Sequence, residues 1–317
     1  MKIPFLCLLL LLTGTPPATV NLDEGIQLYQ KGHFKQSVAS LEKVTKSSPQ
    51  ESDARLWLGK AYLKIRDWSN AVDEMEKAVE LQPSNAHYHL WLGRAYGAKA
   101  EHSFFSAFSL ARKVIKEFRT ARDLAPKDLD IRFDMVEFYS QAPGLVGGSE
   151  SKAAEEAQEI AKLNPAKGYI ARSIIFRNDK KWDQAKKELT QATVEYPTAD
   201  SYKDLAEYLF DRNEYKGALD NAGKALELNS ESKGARFLAA ASSIRLTTDL
   251  DNAVSTLQEM ANGVLKDEDP SFEAVYYWLG EGYLAKGDKE NARKAFESAL
   301  TFNPDYDEAK KGVNRSK

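Results

Sequence analysis

Apolar and small residues recur along this chain at helical spacing, and the helical runs themselves recur. The clearest instance reads Tyr276-x-Trp-Leu-Gly-x-x-Tyr283, then Gly287, Ala292, Phe296, Ala299 and Pro304. Leu-Gly-x-x-Tyr puts a small residue and an aromatic on one helical face. Ala-x-x-x-Phe does the same on a second helix, and the proline ends it, because a proline cannot continue a helix. Upstream, Leu58, Gly59, Tyr62, Trp68, Ala71, Met75, Ala78 and Pro83 repeat the pattern, as do Leu92, Gly93 and Tyr96. The pattern predicts paired helices throughout and no strand.

Taken in order, it predicts eight hairpins. The first spans about 22–49 and the second follows 34 residues later. The third, opening near 86, resumes its second-helix pattern at Phe118, Ala121 and Pro126, nine residues late. The excess around 97–112 predicts lengthened helices. The fourth has an enlarged turn, Gln141-Ala-Pro-Gly-Leu-Val-Gly-Gly-Ser149, with Ser149 or Ser151 as the N-cap of the following helix. A longer connection, 262–270, precedes the eighth, and 306–317 reads as a short, frayed capping helix. A period of 34 residues with these offsets is the signature of a stacked helix–turn–helix array. The chain resembles the tetratricopeptide repeat (TPR) family. That resemblance implies an all-α fold, a right-handed α-α superhelix (TPR solenoid) of about eight helical hairpins with a concave groove.

A narrower resemblance covers about 86–163. His89-Leu-Trp-Leu-Gly-Arg-Ala-Tyr-Gly-Ala-Lys-Ala-Glu101 followed by Phe138-Tyr-x-x-Ala-Pro-Gly-Leu-Val-Gly-Gly148 is similar to exported bacterial TPR proteins with an enlarged A-P-G-x-x-G-G turn, and to relatives of the regulators of microtubule dynamics. It implies a subfamily and no reaction.

Charge and targeting refine the picture. The net charge of −3 argues against a general nucleic-acid binder. Lys2 followed by the apolar run Ile3–Leu12 and small residues to Thr19 reads as a signal peptide over 1–20. It is too short for a membrane span. The expected domains are therefore a signal at 1–20 and a solenoid at 21–317, elaborated at about 86–165. The expected location is exported, in a bacterial periplasm or secreted, with no stable membrane span once the signal is removed. Cys7, the single cysteine, falls inside the signal, so the remaining chain has no disulfide and no thiolate chemistry.

Catalytic and cofactor signals are lacking. His87 and His89 stand two apart on a helix and point about 200° apart, so they cannot share a metal. Gly144, Gly147 and Gly148 lack the Gly-Lys-Ser/Thr of a phosphate loop. No Gly-x-Ser-x-Gly is present. The expectation is a non-enzymatic scaffold without cofactor or metal, binding a protein or peptide segment.

The TPR resemblance implies where. First helices line the groove through their second, fifth, ninth, twelfth and thirteenth positions. These offsets give Asp53, Leu56, Lys60 and Lys64, then His87, Leu90 and Arg94, then Phe133, Glu137 and Gln141. Lys60, Lys64 and Arg94 form a local basic cluster suited to a carboxylate. The asparagines of the chaperone-tail carboxylate clamp are missing. Phe104, Phe105 and Phe108 either pack the lengthened hairpin or form an exposed docking patch; lining an apolar cavity, they would instead make a small-ligand or lipid carrier. The five tryptophans fall mostly on packing positions. Self-association through the lengthened helices is left open.

Overall fold

The computed structural model describes residues 21–103, 105–267 and 269–317; the signal-peptide reading at 1–20 and the assignment of Phe104 lie outside them. Among the described residues there are seventeen α-helices and no strand. They run α1 Leu22–Gln30, α2 Phe34–Ser47, α3 Ser52–Lys64, α4 Trp68–Leu81, α5 Ala86–Glu101, α6 Ala107–Leu124, α7 Leu129–Gln141, α8 Glu150–Leu163, α9 Pro165–Asn178, α10 Trp182–Glu195, α11 Ala199–Asp211, α12 Tyr215–Leu228, α13 Lys233–Leu246, α14 Leu250–Ala261, α15 Phe272–Ala285, α16 Lys289–Phe302 and α17 Asp307–Arg315. Successive pairs are eight antiparallel hairpins, each packed on the next, with α17 closing the stack.

The repeated residues explain the pairing. A Cβ on Gly59 would meet Met75 at 2.7 Å, one on Gly93 would meet Phe118 at 2.4 Å, and one on Gly280 would meet Phe296 at 2.6 Å. The glycine on each first helix is therefore the hole for a large side chain on the second. Met75 and Phe296 are fully buried there. Polar caps fix the starts: Asn85, Asp128, Ser149 and Ser232 each accept a backbone N–H of the following helix. Asn164 ends α8 and caps α9, and Pro165 occupies the first turn of α9.

Six of the eight hairpins turn over three residues and use a left-handed one: Gly32, Arg66, Lys180, Asn213, Thr247 and Gly287. The other two turns are the elaborated ones. Helices α5 and α6 reach 16 and 18 residues, as the nine-residue excess predicts. The α7–α8 turn holds a short 3-10 helix, Gly144–Val146, and Gly147 at φ +112. A Cβ on Gly148 would lie 1.6 Å from the Ala142 carbonyl oxygen, so this turn closes only around a bare backbone.

Two sequence readings change. The C-terminal helix is held in place: Gly312 lies against Phe296, and the Arg315 guanidinium pairs with Glu281, with Nη1–Oε2 at 3.3 Å. Its few apolar residues hid that anchoring. Trp182 is not core; it is 38% exposed and lies under the Arg212 guanidinium at 4.6 Å.

The array also closes on itself. The connection after α14 reaches back to the first hairpin, where the Leu265 N–H donates to the Gln30 carbonyl at 2.9 Å. Phe34 sits edge-on to Phe272 and Phe302, with ring centres 6.3 and 5.9 Å away. The Arg66 guanidinium donates to Asn303 Oδ1 at 2.6 Å and pairs with Asp305 at 3.1 Å. This seam joins the first two hairpins to the eighth. Among the described residues no helix is long and apolar enough to cross a membrane.

Candidate functional site

The first helices lie side by side and are laced together across the concave face. Arg94 on α5 donates to Asp134 on α7 at 2.6 Å. Asn178 on α9 donates to Ser140 on α7 at 2.6 Å, and Arg177 pairs with Asp211 on α11 at 3.3 Å. Spacing by three and four residues puts Lys60, Leu63 and Lys64 of α3 on this face, with His87, Leu90, Trp91 and Arg94 of α5. Together with Tyr29, Asp130 and Asp267 they line one cavity of about 580 Å³.

Lys60 is its centre. The residue is only 4% exposed, and its ammonium lies 3.9 Å from the Trp57 ring centre and 4.3 Å from that of Trp91. Two aromatic faces around a desolvated cation are a favourable cage. Its carboxylate partner is Asp267, at 2.5 Å, on the connection that forms the seam. The Tyr29 hydroxyl donates to the same carboxylate at 2.6 Å. Burial pulls the Lys60 ammonium below the usual lysine range, with Asp267 pulling the other way. Burial alone would raise the Asp267 carboxyl, but Lys60 and the Tyr29 hydroxyl bring it below the ordinary aspartate value.

The rest of the lining is polar and graded. His87 stands edge-on to Trp91, 6.2 Å between ring centres, and burial followed by the Lys60 and Arg94 charges lowers its pKa, which favours the neutral ring. Lys64 reaches the same cavity and has no carboxylate within ion-pairing distance among the described residues. Further along, burial raises the Asp134 carboxyl despite Arg94, and it raises Glu137 as well. The groove thus passes from cationic at α3–α5 to acidic at α7.

Lys60, Lys64, His87 and Arg94 are therefore brought into one cavity. Glu137 and Gln141 lie further along α7, outside the lining to which Asp130 of that helix belongs; they hydrogen-bond to each other, and Gln141 also donates to Asn178 at 3.4 Å. Asp53 accepts the Tyr88 hydroxyl at 2.6 Å. Of the phenylalanine group, Phe105 is 97% and Phe108 46% exposed, so these rings stand at the surface and do not enclose a cavity. His89 points away from His87 and bonds Glu117 through Nδ1 at 2.6 Å. Among the described residues no group of His, Cys, Asp and Glu has the arrangement of a metal site. Sequence reasoning missed Tyr29 and Asp267. The one available signal was the unusual length of the 262–270 connection.

Residues 22–86 and 58–100, and residues 273–306, match models of the tetratricopeptide repeat. The crystal structure of yeast Tom70 superposes with a TM-score of 0.59 at 15% identity, over 90% of this chain and 58% of that one. The chain thus spans little more than half the length of Tom70, and the likeness shows the fold. A tetratricopeptide repeat protein from Parabacteroides merdae aligns at 13% identity and a TM-score of 0.47, over 93% and 96% of the two chains. A thermophilic TPR protein from Thermus thermophilus aligns at 19% identity and a TM-score of 0.43, over 70% and 96%. No curated protein matches the sequence.

Proposed function

We propose that this all-α solenoid, which matches the tetratricopeptide repeat at 22–100 and 273–306, is a non-catalytic scaffold that holds an extended protein segment along its concave face. The observation that carries this reading is the convergence of Lys60, Lys64, His87, Trp91 and Arg94, from two neighbouring first helices, on one cavity. Aromatic walls with a few aimed polar groups suit a side chain of a bound segment. Lys64 would receive an acidic residue or a chain-terminal carboxylate, and the acidic stretch from Asp134 to Glu137 would receive a basic one. A charge-assisted contact of this kind contributes about 1.5–3 kcal/mol. The scaffold works outside the cytoplasm, as the Lys2–Leu12 run supports; fractionation with N-terminal sequencing of the product tests that part alone.

The test of the groove is Lys64→Glu combined with His87→Glu, leaving Lys60 and the seam intact. Partners captured by the native chain are compared with those of the variant by mass spectrometry, and affinities are then measured by calorimetry. Loss of about tenfold or more in affinity is expected from reversing one charge-assisted contact. Unchanged affinity in a folded variant would remove the cavity as the binding site.

A further inference from the structure

The outer edge of the third and fourth hairpins carries a second cationic region that the groove reading leaves unused. From 102 to 119 the sequence holds Arg112, Lys113, Lys116 and Arg119 and a single acid, Glu117. That acid is turned inward, 7% exposed, onto His89. From 139 to 149 there is no acid at all. Arg112, Lys116 and Arg119 line a shallow cleft of about 550 Å³ whose other wall is the Gly144–Gly147 turn. Arg112 pairs with no carboxylate among the described residues; its guanidinium lies over the Phe108 ring at 4.7 Å. Lys116 has only a long contact, 3.6 Å, with the far oxygen of Glu117. Asp123 closes the end of the cleft and is paired with Arg122 at 2.8 Å.

Large apolar side chains stand out around this cleft. Leu145 is 79% exposed at the apex of one turn, and Phe105 is 97% exposed at the apex of the neighbouring one, with Phe108 a turn further along α6. These are the two hairpin turns that depart from the three-residue length of the other six. A protein partner is usually anchored by side chains filling pockets. Here the apolar groups stand exposed on two hairpin turns and the start of α6 beside a cation-walled cleft, the arrangement of a surface that enters a lipid interface.

We propose that this edge docks on an anionic phospholipid surface, with Phe105, Phe108 and Leu145 entering the interface and Arg112, Lys116 and Arg119 receiving headgroup phosphates. Basic side chains near such a surface each add attraction, and salt weakens it.

The experiment is sedimentation of the full chain with phosphatidylcholine vesicles, with and without phosphatidylglycerol. Lys2 and the apolar stretch at 3–12 are the same in every variant, so the part of the phosphatidylglycerol increment that is lost on charge reversal is the readout. About tenfold tighter partition on the anionic vesicles is expected, falling as salt rises. Arg112→Glu with Lys116→Glu should abolish the increment, whereas Lys310→Glu with Lys311→Glu, equal in charge but elsewhere, should leave it. Phe105→Trp should gain tryptophan quenching by brominated phosphatidylglycerol beyond that of the native chain. The proposal is overturned by equal partition on the two vesicle types, by equal loss in the two charge reversals, or by a Phe105→Trp variant that brominated lipid quenches no more than the native chain. It is also overturned if vesicles fail while immobilised polyglutamate holds the chain through Arg112 and Lys116, because the surface would then serve an acidic protein. All substitutions are at solvent-facing side chains, so matched melting midpoints should verify folding.

Discussion

Two cationic regions stand on different helices of this molecule, one on α3 and α5 and one on α6, and they differ in what neutralises them. In the groove, Lys60 is buried, caged by Trp57 and Trp91 and paired with Asp267, while Arg94 is paired with Asp134. At the outer edge Arg112 is exposed, lies over the face of Phe108 and pairs with no carboxylate among the described residues. Equal charge in the sequence therefore serves two ends. The groove lysine holds the seam, and its removal should be felt as instability. The edge arginine is available to meet something outside.

The largest effect should come from Lys60→Met. Methionine keeps the stem between the tryptophans but leaves Asp267 without its cation. Breaking a buried pair from one side typically costs about 3–5 kcal/mol. Asp267 keeps 27% of its side chain exposed, so about 3 kcal/mol is expected here. Urea unfolding followed by tryptophan emission measures it. The double variant with Asp267→Asn should recover part of the loss, since the orphaned charge is gone. A single variant as stable as the native chain would erase the distinction between the two regions.

A pH titration should separate the seam from the groove acids beside it. The Asp267 carboxyl is depressed, so its stabilisation is complete above the ordinary aspartate pKa and is lost as pH falls through the lower folded value. Asp134 and Glu137 are raised, so each opposes folding when ionised, and protonation removes that penalty as pH falls through their folded values. Acidification should first relieve the α7 carboxylates and only later weaken the seam. Unfolding midpoints over pH, compared with those of Asp267→Asn, would show it: the variant should lack the steep acid limb. An acid limb shared by both would assign it elsewhere.

The smallest effect completes the contrast. Arg112→Gln removes an exposed cation and should change stability by no more than about 0.5 kcal/mol. A larger loss would mean that the edge, like the groove, is part of the structural framework.

What the sequence disclosed follows the range of the interactions involved. The hairpins were legible because glycine, large side chain and terminal proline lie within one repeat, as Gly59, Met75 and Pro83 do. The lengthened α5 and α6 were legible as an offset in the same pattern. Lys60, Lys64 and Arg94 were legible as groove positions, because a helix fixes which residues share a face. Their neutralisation was not. Asp134 lies one repeat downstream, and Asp267 comes from a connection near the far end of the chain that carries no repeat signature. The closure of the seam depends on the accumulated rotation of all eight hairpins, to which every helix contact adds a little and which no local motif spells out. The exposure of Phe105 and Phe108 was similarly illegible, since an apolar run reads the same whether it turns inward or out.

The seam has a thermodynamic consequence. A stack of repeats behaves as a one-dimensional lattice whose end units have one neighbour and fray first. Joining Gln30, Phe34 and Arg66 to Leu265, Phe302, Asn303 and Asp305 gives that lattice a periodic boundary. The first hairpin then unzips only when two interfaces are lost together. Hydrogen exchange along the chain should lose the gradient from protected middle to labile ends that an open array displays, and Lys60→Met should restore it.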